Sequence, residues 1–146
     1  LMPAKMELDN TAAEVIRKAL GLEGLFKDMK AAGIQGLFPK SSLLQCAPDD
    51  HIIEQGESSR DVYVVCEGAV SIAQTMGSAG ASLADLRKGD VFGEMALLRD
   101  GVRVASAVAQ GPCRVYRILY EDIQAVILSH PALKTLFDSL AKKRSE

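Results

Sequence analysis

The chain has 146 residues, of which 48% are hydrophobic and 25% charged, and its 17 basic and 19 acidic residues give a net charge of −2. This composition predicts one soluble globular domain and argues against nucleic-acid binding, which depends on an excess of basic residues. The longest apolar runs, such as residues 62–66, are far shorter than the roughly 18 residues of a membrane span, and no signal-peptide pattern is present. We therefore expect a cytoplasmic domain that contacts neither nucleic acid nor membrane.

The first 40 residues are predicted to be helical. Thr11-Ala12-Ala13-Glu14 fits a capping box, which predicts that a helix begins at Thr11. Gly21 provides its C-terminal stop. A second short helix, carrying Leu25, Phe26 and Met29, is expected to run to about residue 32, because Gly33 and Gly36 act as helix breakers.

Residues 41–119 form a block of short apolar and β-branched runs separated by turn residues. Such spacing predicts an antiparallel sandwich or barrel. We interpret residues 77–80 as a flexible hairpin loop, because their glycine spacing is wrong for a nucleophile elbow. The predicted strands are 42–46, 51–54, 61–67, 69–75, 82–86, 103–109 and 113–119.

Helical periodicity returns in residues 120–146. Ile123, Val126 and Ile127 share one helical face, and Pro131 suits the first turn of another helix. The basic triplet 142–144 suits a solvated helix C-terminus and is too short to indicate a nucleic-acid site. A second apolar stripe comes after Pro131 and consists of Leu133, Leu136, Phe137 and Leu140.

The cysteine and histidine content argues against catalysis. The cysteines are odd in number and form no C-x-x-C pair, which predicts buried reduced thiols rather than disulfides or a zinc ribbon. Two histidines are too few for a three-histidine metal site, and neither lies in a motif that presents a nucleophile. These residues are Cys46, Cys66, Cys113, His51 and His130.

Residues 89–106 break the β pattern. Residues 95–98 are good helix formers, so they predict one or two helical turns between strands. The N-terminus of such a helix offers unpaired amides, and Gly93 would let an anion approach them closely. Arg103 is expected to begin the next strand. These features would place Arg103, a set of amide donors and the carboxylate of Glu94 around one concavity.

The spacing of Glu94 and Arg103 allows two interpretations. Arg103 and the amides can hold a phosphate through charge-assisted hydrogen bonds, while Glu94 would accept from a neighbouring sugar hydroxyl, which indicates a ribose phosphate. The alternative is a surface ion pair of Arg103 with Glu94 or Asp100. The spacing alone supports both equally.

The residues Phe92-Gly93-Glu94-Met95-Ala96-Leu97-Leu98, followed by Arg103-Val104-Ala105-Ser106, resemble the phosphate-binding cassette of the cyclic nucleotide-binding domain family. Segments 52–57, 62–68 and 86–90 are similar to the family's strands and turns before the cassette, so the resemblance covers roughly residues 40–140. The family includes regulatory subunits of cyclic-AMP-dependent protein kinase, catabolite activator proteins and cyclic-nucleotide-gated channels. The resemblance implies an antiparallel β-roll or jelly-roll barrel of about eight strands at 41–119, between the helices of 1–40 and 120–146.

The resemblance also implies a role for each matching residue. Glu94 would accept from the ribose 2′-hydroxyl, and Arg103 would bind the exocyclic phosphate oxygens. Leu83 would form an apolar wall against the base, although an ordinary core leucine explains it equally well. The remaining contacts would come from the backbone at Gly93, Met95, Ala96, Val104 and Ala105.

Two positions depart from the family pattern. Val102 stands where proline is common, which affects the rigidity of the turn. Val104 stands where members that favour cyclic GMP often carry threonine, and valine has no hydroxyl to bond guanine. The ligand expected is therefore cyclic AMP, with cyclic GMP as the alternative.

The implied function is a non-enzymatic sensor that couples nucleotide binding to movement of the C-terminal helices. Phe137 or Leu140 could then contact the purine, although simple core packing is the commoner role of such a stripe. The alternatives are the sensor part of a larger transcription regulator, kinase or channel, and a degenerate domain that only docks proteins. The effector is unidentified, and dimerisation stays open.

Overall fold

The structure is a computed structural model that describes residues 3–26, 29–76, 79–98 and 101–145. Its helices are α1 (Asn10–Ala19), α2 (Ala31–Leu37), α3 (Tyr120–Ser129), α4 (Ala132–Ser145) and two 3₁₀ helices, Leu22–Gly24 and Glu94–Leu97. We call Glu94–Leu97 the site 3₁₀ helix. The strands are β1 (Ala4–Met6), β2 (Ser42–Cys46), β3 (His51–Ile53), β4 (Val62–Glu67), β5 (Ala69–Met76), β6 (Ala79–Arg87), β7 (Val91–Phe92), β8 (Ser106–Ala109) and β9 (Cys113–Ile118).

The strands form two antiparallel sheets. One sheet has the order β1-β2-β9-β4-β7 and the other β3-β8-β5-β6. The predicted mainly-β fold with flanking helices is confirmed, with one correction. The described residues form nine strands, which agrees with the expected number of about eight, but the sheets stay open at their edges instead of closing into a barrel. The unpredicted strands are β1 and β7, which have three and two residues and are too short to show a periodicity.

The core lies in two layers that share β4. The β4 side chains at 62, 64 and 66 pack on the helices, whereas Tyr63 and Val65 pack between the two sheets. Because successive side chains of a strand point to opposite faces, both faces of β4 are buried. This double burial explains the continuous apolar run at 62–66.

The N-terminal prediction needs two corrections. Asp9, rather than Thr11, caps α1, with its Oδ1 accepting from the amide of Ala12 at 2.8 Å. The predicted second helix is also wrong: Leu22–Gly24 is a 3₁₀ helix, and α2 begins only at Ala31 and includes both glycines taken as breakers. The amide of Ala31 donates to Asn10 at 3.0 Å, and Ile34 of α2 is fully buried. These tertiary contacts outweigh the low helix propensity of glycine. Gly21 has φ +71 and ends α1 as predicted.

Other local predictions have mixed outcomes. Strand 42–46 matches β2, and most other predicted strands differ at their ends by one to three residues. Of the predicted loop 77–80, residues 77 and 78 lie outside the described ranges, and the other two belong to β6. All three cysteines are buried, as predicted. In the described ranges, no helix combines the length and apolar character needed to cross a membrane.

Candidate functional site

A cavity of about 290 Å³ lies between β5, β6, the site 3₁₀ helix and the segment that leads into β8. Apolar side chains such as Ile53, Ile72 and Phe92 line its floor. The structure brings all eight residues predicted for the site to this one cavity. They are Leu83, Gly93, Glu94, Met95, Ala96, Arg103, Val104 and Ala105.

Gly93 occupies a backbone conformation that only glycine adopts without strain. It has φ +80, and a Cβ at this position would lie 2.9 Å from the carbonyl oxygen of Asp61 and 3.1 Å from Nη1 of Arg103. The glycine therefore allows the chain to turn into the site 3₁₀ helix while Arg103 lies against it. The sequence predicted the need for glycine here but attributed it to the approach of an anion.

Arg103 does not begin a strand, contrary to the prediction. Its backbone pairs with the turn after β3: its N–H donates to Glu57 O, and Gly56 N donates to its carbonyl, both at 2.8 Å. Because these bonds occupy its backbone, β8 begins only at Ser106. The residue is instead held beside the cavity in an irregular segment.

The guanidinium of Arg103 is fixed by three hydrogen bonds. Nε donates to Ser59 Oγ at 3.0 Å, Nη1 to Gly93 O at 2.9 Å and Nη2 to Asp61 O at 2.7 Å. A guanidinium has five N–H groups, so these bonds leave donors for a further acceptor. All three acceptors are neutral oxygen atoms, so they orient the cation without neutralising it.

Burial sets the electrostatic character of Arg103. Only 9% of the residue is exposed, and desolvation lowers the pKa of Arg103 below its ordinary value, while Tyr63 and the nearby carboxylates act in the opposite direction. The shift leaves arginine charged. A buried cation in a cavity wall favours an anionic ligand, because its interaction with charge is little screened there.

Glu94 opens the site 3₁₀ helix and is 3% exposed. Arg103 is buried as well, so the exposed setting of the alternative surface ion pair between Glu94 and Arg103 is not found. Asp100, the other candidate partner, lies outside the described residues. The predicted helical turn at 95–98 is present, but it begins at Glu94 and is 3₁₀ rather than α-helical.

Three apolar side chains at the cavity, including Val102 at 58%, are unusually exposed for their type. Leu83 is 56% exposed and Val104 is 55% exposed, and both line the cavity. The alternative interpretation of Leu83 as an ordinary core leucine is therefore wrong. Exposed apolar groups beside a cavity are typical of ligand-binding sites.

Sequence analysis did not identify Ser59 and Asp61 as site residues. Ser59 lines the cavity, and both residues hold Arg103 through the bonds given above. Asp61 contributes its backbone carbonyl, which carries no side-chain signature. The only signal was their position at the start of a predicted strand, with Ser59 just before it and Asp61 as its first residue, which is insufficient to place them next to Arg103.

The apolar stripe of the last helix lies away from the cavity. Leu133 and Phe137 are buried in the helix-side core, and Leu136 and Leu140 pack against it. The stripe faces Leu20 and Leu22. The structure thus shows Phe137 and Leu140 in core packing and not among the residues that line the cavity.

Comparison with known proteins identifies a family for this chain. The model of the family described as "Cyclic nucleotide-binding domain" matches residues 43–130. Potassium/sodium hyperpolarization-activated cyclic nucleotide-gated channel 4 of Homo sapiens is 30% identical over 128 residues, which are 88% of this chain and 10% of the channel. Channel 2 of Homo sapiens is 29% identical over 128 residues and is covered to 14%. The chain thus spans only about a tenth of the length of these relatives.

Solved structures of similar fold agree with this match. Catabolite Activator Protein of Thermus thermophilus is 29% identical with a TM-score of 0.68, over 82% of this chain and 57% of that one. A cyclic nucleotide-binding domain from Methylobacillus flagellatus has a TM-score of 0.74 at 18% identity, covering 97% and 84%. The regulatory domain of Toxoplasma gondii PKA with cAMP has a TM-score of 0.72 at 22% identity, covering 93% and 50%. The last two similarities concern the fold alone.

Proposed function

Because this chain belongs to the cyclic nucleotide-binding domain family, we propose that it binds cyclic AMP in the 290 Å³ cavity and acts as a sensor rather than an enzyme. One observation carries the proposal: the buried guanidinium of Arg103 lies in the cavity wall, and within the described ranges its three hydrogen bonds all go to neutral oxygen atoms. A cyclic phosphate carries one negative charge, so it complements this cation. The cavity is open, which argues against a degenerate domain whose pocket is filled by its own side chains.

The residues around Arg103 suit the remaining parts of a nucleotide. Arg103 would bind the exocyclic phosphate oxygens, while the backbone at Gly93, Met95, Ala96, Val104 and Ala105 would line the phosphate. Glu94 would accept from the ribose 2′-hydroxyl. Leu83 of β6, which is exposed at the cavity, would pack against the base.

The preference for cyclic AMP rests on Val104. This side chain is 55% exposed at the cavity and has no group that could hydrogen-bond guanine. Adenine requires no such partner there. The loss of one hydrogen bond is worth about 0.5–1.5 kcal/mol, so cyclic GMP would bind more weakly without being rejected.

The coupling proposed for the sensor runs through the site 3₁₀ helix to α4. These two elements pack against each other, and Leu97 packs on the same core as Leu133 and Phe137. A ligand that draws Glu94 and the backbone of Met95 and Ala96 towards its phosphate and ribose would change how Leu97 packs. The position of α4 would then depend on occupancy, which requires different packing in the two states. The effector would be a further domain or a separate protein.

Isothermal titration of the full chain with cyclic AMP and with cyclic GMP tests this function. We expect binding of both with cyclic AMP tighter, and non-cyclic 5′-AMP serves as the control for general nucleotide binding. Hydrogen exchange over α4, with and without cyclic AMP, tests the coupling separately. No heat and no thermal shift with either cyclic nucleotide would refute the proposed ligand.

A further inference from the structure

Residues 59–61, which we call the 59–61 segment, precede β4 and contact two separate parts of the molecule. One part is the candidate site, through Arg103 and the site 3₁₀ helix. The other is the first turn of α3. No prediction from the sequence assigned a role to this segment.

Asp61 connects the two parts directly. Its backbone carbonyl accepts from Arg103 Nη2 at 2.7 Å, and its Oδ1 accepts from the amide of Tyr120, the first residue of α3, at 2.8 Å. Its Oδ2 accepts from Arg117 Nε and Nη2 at 3.0 and 2.8 Å. Asp61 is 9% exposed. One buried residue therefore hydrogen-bonds both to Arg103, the residue expected to bind the phosphate, and to the start of α3.

The bond to Tyr120 takes the place of a local helix cap. The N-cap residue of α3 is Leu119, whose side chain makes no capping hydrogen bond. A carboxylate at a helix N-terminus satisfies an unpaired amide and interacts favourably with the helix dipole. For α3 this carboxylate comes from Asp61, 59 positions earlier in the chain.

Arg60 provides a second connection between the same parts. Its Nε donates to the carbonyl oxygen of Ala96 in the site 3₁₀ helix at 3.0 Å. Its guanidinium carbon lies 4.1 Å from the centre of the Tyr120 ring, which is a cation–π distance. Two neighbouring residues thus connect the candidate site to Tyr120.

We propose that the 59–61 segment couples the candidate site to α3, with Asp61 as the positioning residue. Movement of Arg103 towards a bound phosphate would alter its bond to the Asp61 carbonyl, and the same residue carries the carboxylate that caps α3. The stability of the first turn of α3 would therefore depend on the state of Arg103. The ligand-dependent part of this inference rests on the proposed function, but the coupling itself can be measured without ligand.

The ligand-free test uses the exchange rates of the Asp122 and Ile123 amides, which donate to Leu119 O at 3.0 and 3.1 Å in the first turn of α3. In the otherwise wild-type chain, Arg103→Ala should speed their exchange by at least about twofold, the lower limit for coupled residues. In the Asp61→Ala background, Arg103→Ala should have no further effect. An equal effect of Arg103→Ala in both backgrounds would overturn the coupling.

Two further variants separate coupling from general loosening of the helix. Ser41→Ala is the matched control, because Ser41 Oγ accepts from Leu119 N at 3.0 Å and donates to Asp122 at 2.6 Å without contacting Arg103. It loosens the same helix start, so Arg103→Ala should still act in its background. Asp61→Asn keeps an oxygen that can accept from Tyr120 and should therefore preserve the coupling. If Asp61→Ala does not fold, Asp61→Asn still tests the proposal, because loss of the Arg103→Ala effect in its background would contradict coupling through this oxygen.

The ligand-dependent test repeats these measurements with saturating cyclic AMP. We expect the nucleotide to change the exchange of Asp122 and Ile123 in the wild type and in Ser41→Ala, and to change it less in Asp61→Ala, where only the Arg60 connection remains. A nucleotide-induced change of equal size in Asp61→Ala would contradict the inference. If the wild type binds no cyclic nucleotide, the proposed function fails, while the ligand-free comparison still decides whether Asp61 couples Arg103 to α3.

Discussion

Arg103 donates from Nη1 to the carbonyl oxygen of Gly93, 2.9 Å away and ten residues earlier in the chain. The cation in the cavity wall is thus oriented by the peptide at which the site 3₁₀ helix begins. This bond makes the position of the charge dependent on the conformation of Gly93. Ligand affinity should therefore respond to changes at either residue.

Arg103→Ala should weaken cyclic AMP binding by about 100-fold or more, because at least two charge-assisted bonds to the phosphate are lost. Arg103→Lys should have an intermediate effect, since lysine keeps the charge but not the planar fork. Titration calorimetry measures both. Arg87→Ala removes an exposed arginine outside the cavity and is the control. Equal affinities of Arg103→Ala and the wild type would place the phosphate elsewhere.

Gly93→Ala should reduce both stability and affinity, because its Cβ would press on Asp61 O and Arg103 Nη1. Gly89→Ala is a matched control: Gly89 has φ +94, but a Cβ there meets nothing within 4 Å. Both substitutions incur backbone strain, and only Gly93→Ala adds a clash. We expect it to lower the free energy of unfolding by about 1–2 kcal/mol more than Gly89→Ala, as urea denaturation would show. Equal losses would mean that the neighbours of Gly93 adjust freely.

The residues gathered around the cavity were predictable, whereas the way they are held was not. Gly93, Glu94 and Arg103 are recognisable because they match the family's cassette motif, whereas their spacing alone fitted an ion pair equally well. Ser59 and Asp61 escaped detection because a hydroxyl and a backbone carbonyl in an irregular segment have no distinctive pattern. Their contacts with Arg103 join positions 44 and 42 residues apart, which only the tertiary fold establishes.

Errors in the fold prediction have a similar origin. The helix breakers assumed at Gly33 and Gly36 lie within α2, because packing on the core, in which Ile34 is fully buried, outweighs local propensity. The strand predicted from Arg103 starts at Ser106, because the backbone of Arg103 bonds to residues 56 and 57. The continuous apolar run at 62–66 predicted the central strand β4 correctly, since this strand buries both faces.

Val104→Thr should raise the affinity for cyclic GMP relative to cyclic AMP. A hydroxyl at this exposed position of the cavity wall would supply one hydrogen bond to guanine, so the affinity ratio should change by up to about tenfold. Val102→Thr is the matched control, because Val102 lines the same cavity and is 58% exposed. Competition titrations with both nucleotides give the ratio. An equal change in both variants would remove Val104 as the determinant of base preference.

Tyr116→Phe should stabilise the fold. The ring of Tyr116 is fully buried, and its hydroxyl has no hydrogen-bond partner among the described residues. Burying an unsatisfied hydroxyl costs free energy, so its removal should raise the free energy of unfolding by about 1 kcal/mol. Urea denaturation at neutral pH measures the change. A less stable Tyr116→Phe would show that the hydroxyl has a partner in solution.

The stability of the protein should fall as the pH rises above about 9, partly because of Cys66. Burial raises the pKa of the Cys66 thiol from 9.0 to about 12, since the thiolate is poorly solvated in the core. In the unfolded chain the thiol ionises near its ordinary pKa, so between about pH 9 and pH 12 the unfolded state is stabilised by losing a proton that the folded state retains. The contribution is fully present below pH 9 and is lost through this window, by at most about 1.4 kcal/mol per pH unit.

Cys66→Ala tests this prediction. The variant should be less stable at neutral pH, but its free energy of unfolding should lack the decrease with pH that is due to Cys66. The other cysteines contribute equally to both proteins. Urea denaturation of both at about pH 8 and pH 10 should therefore give a difference in stability that narrows by about 1 kcal/mol, and a constant difference would mean that Cys66 ionises normally in the folded protein.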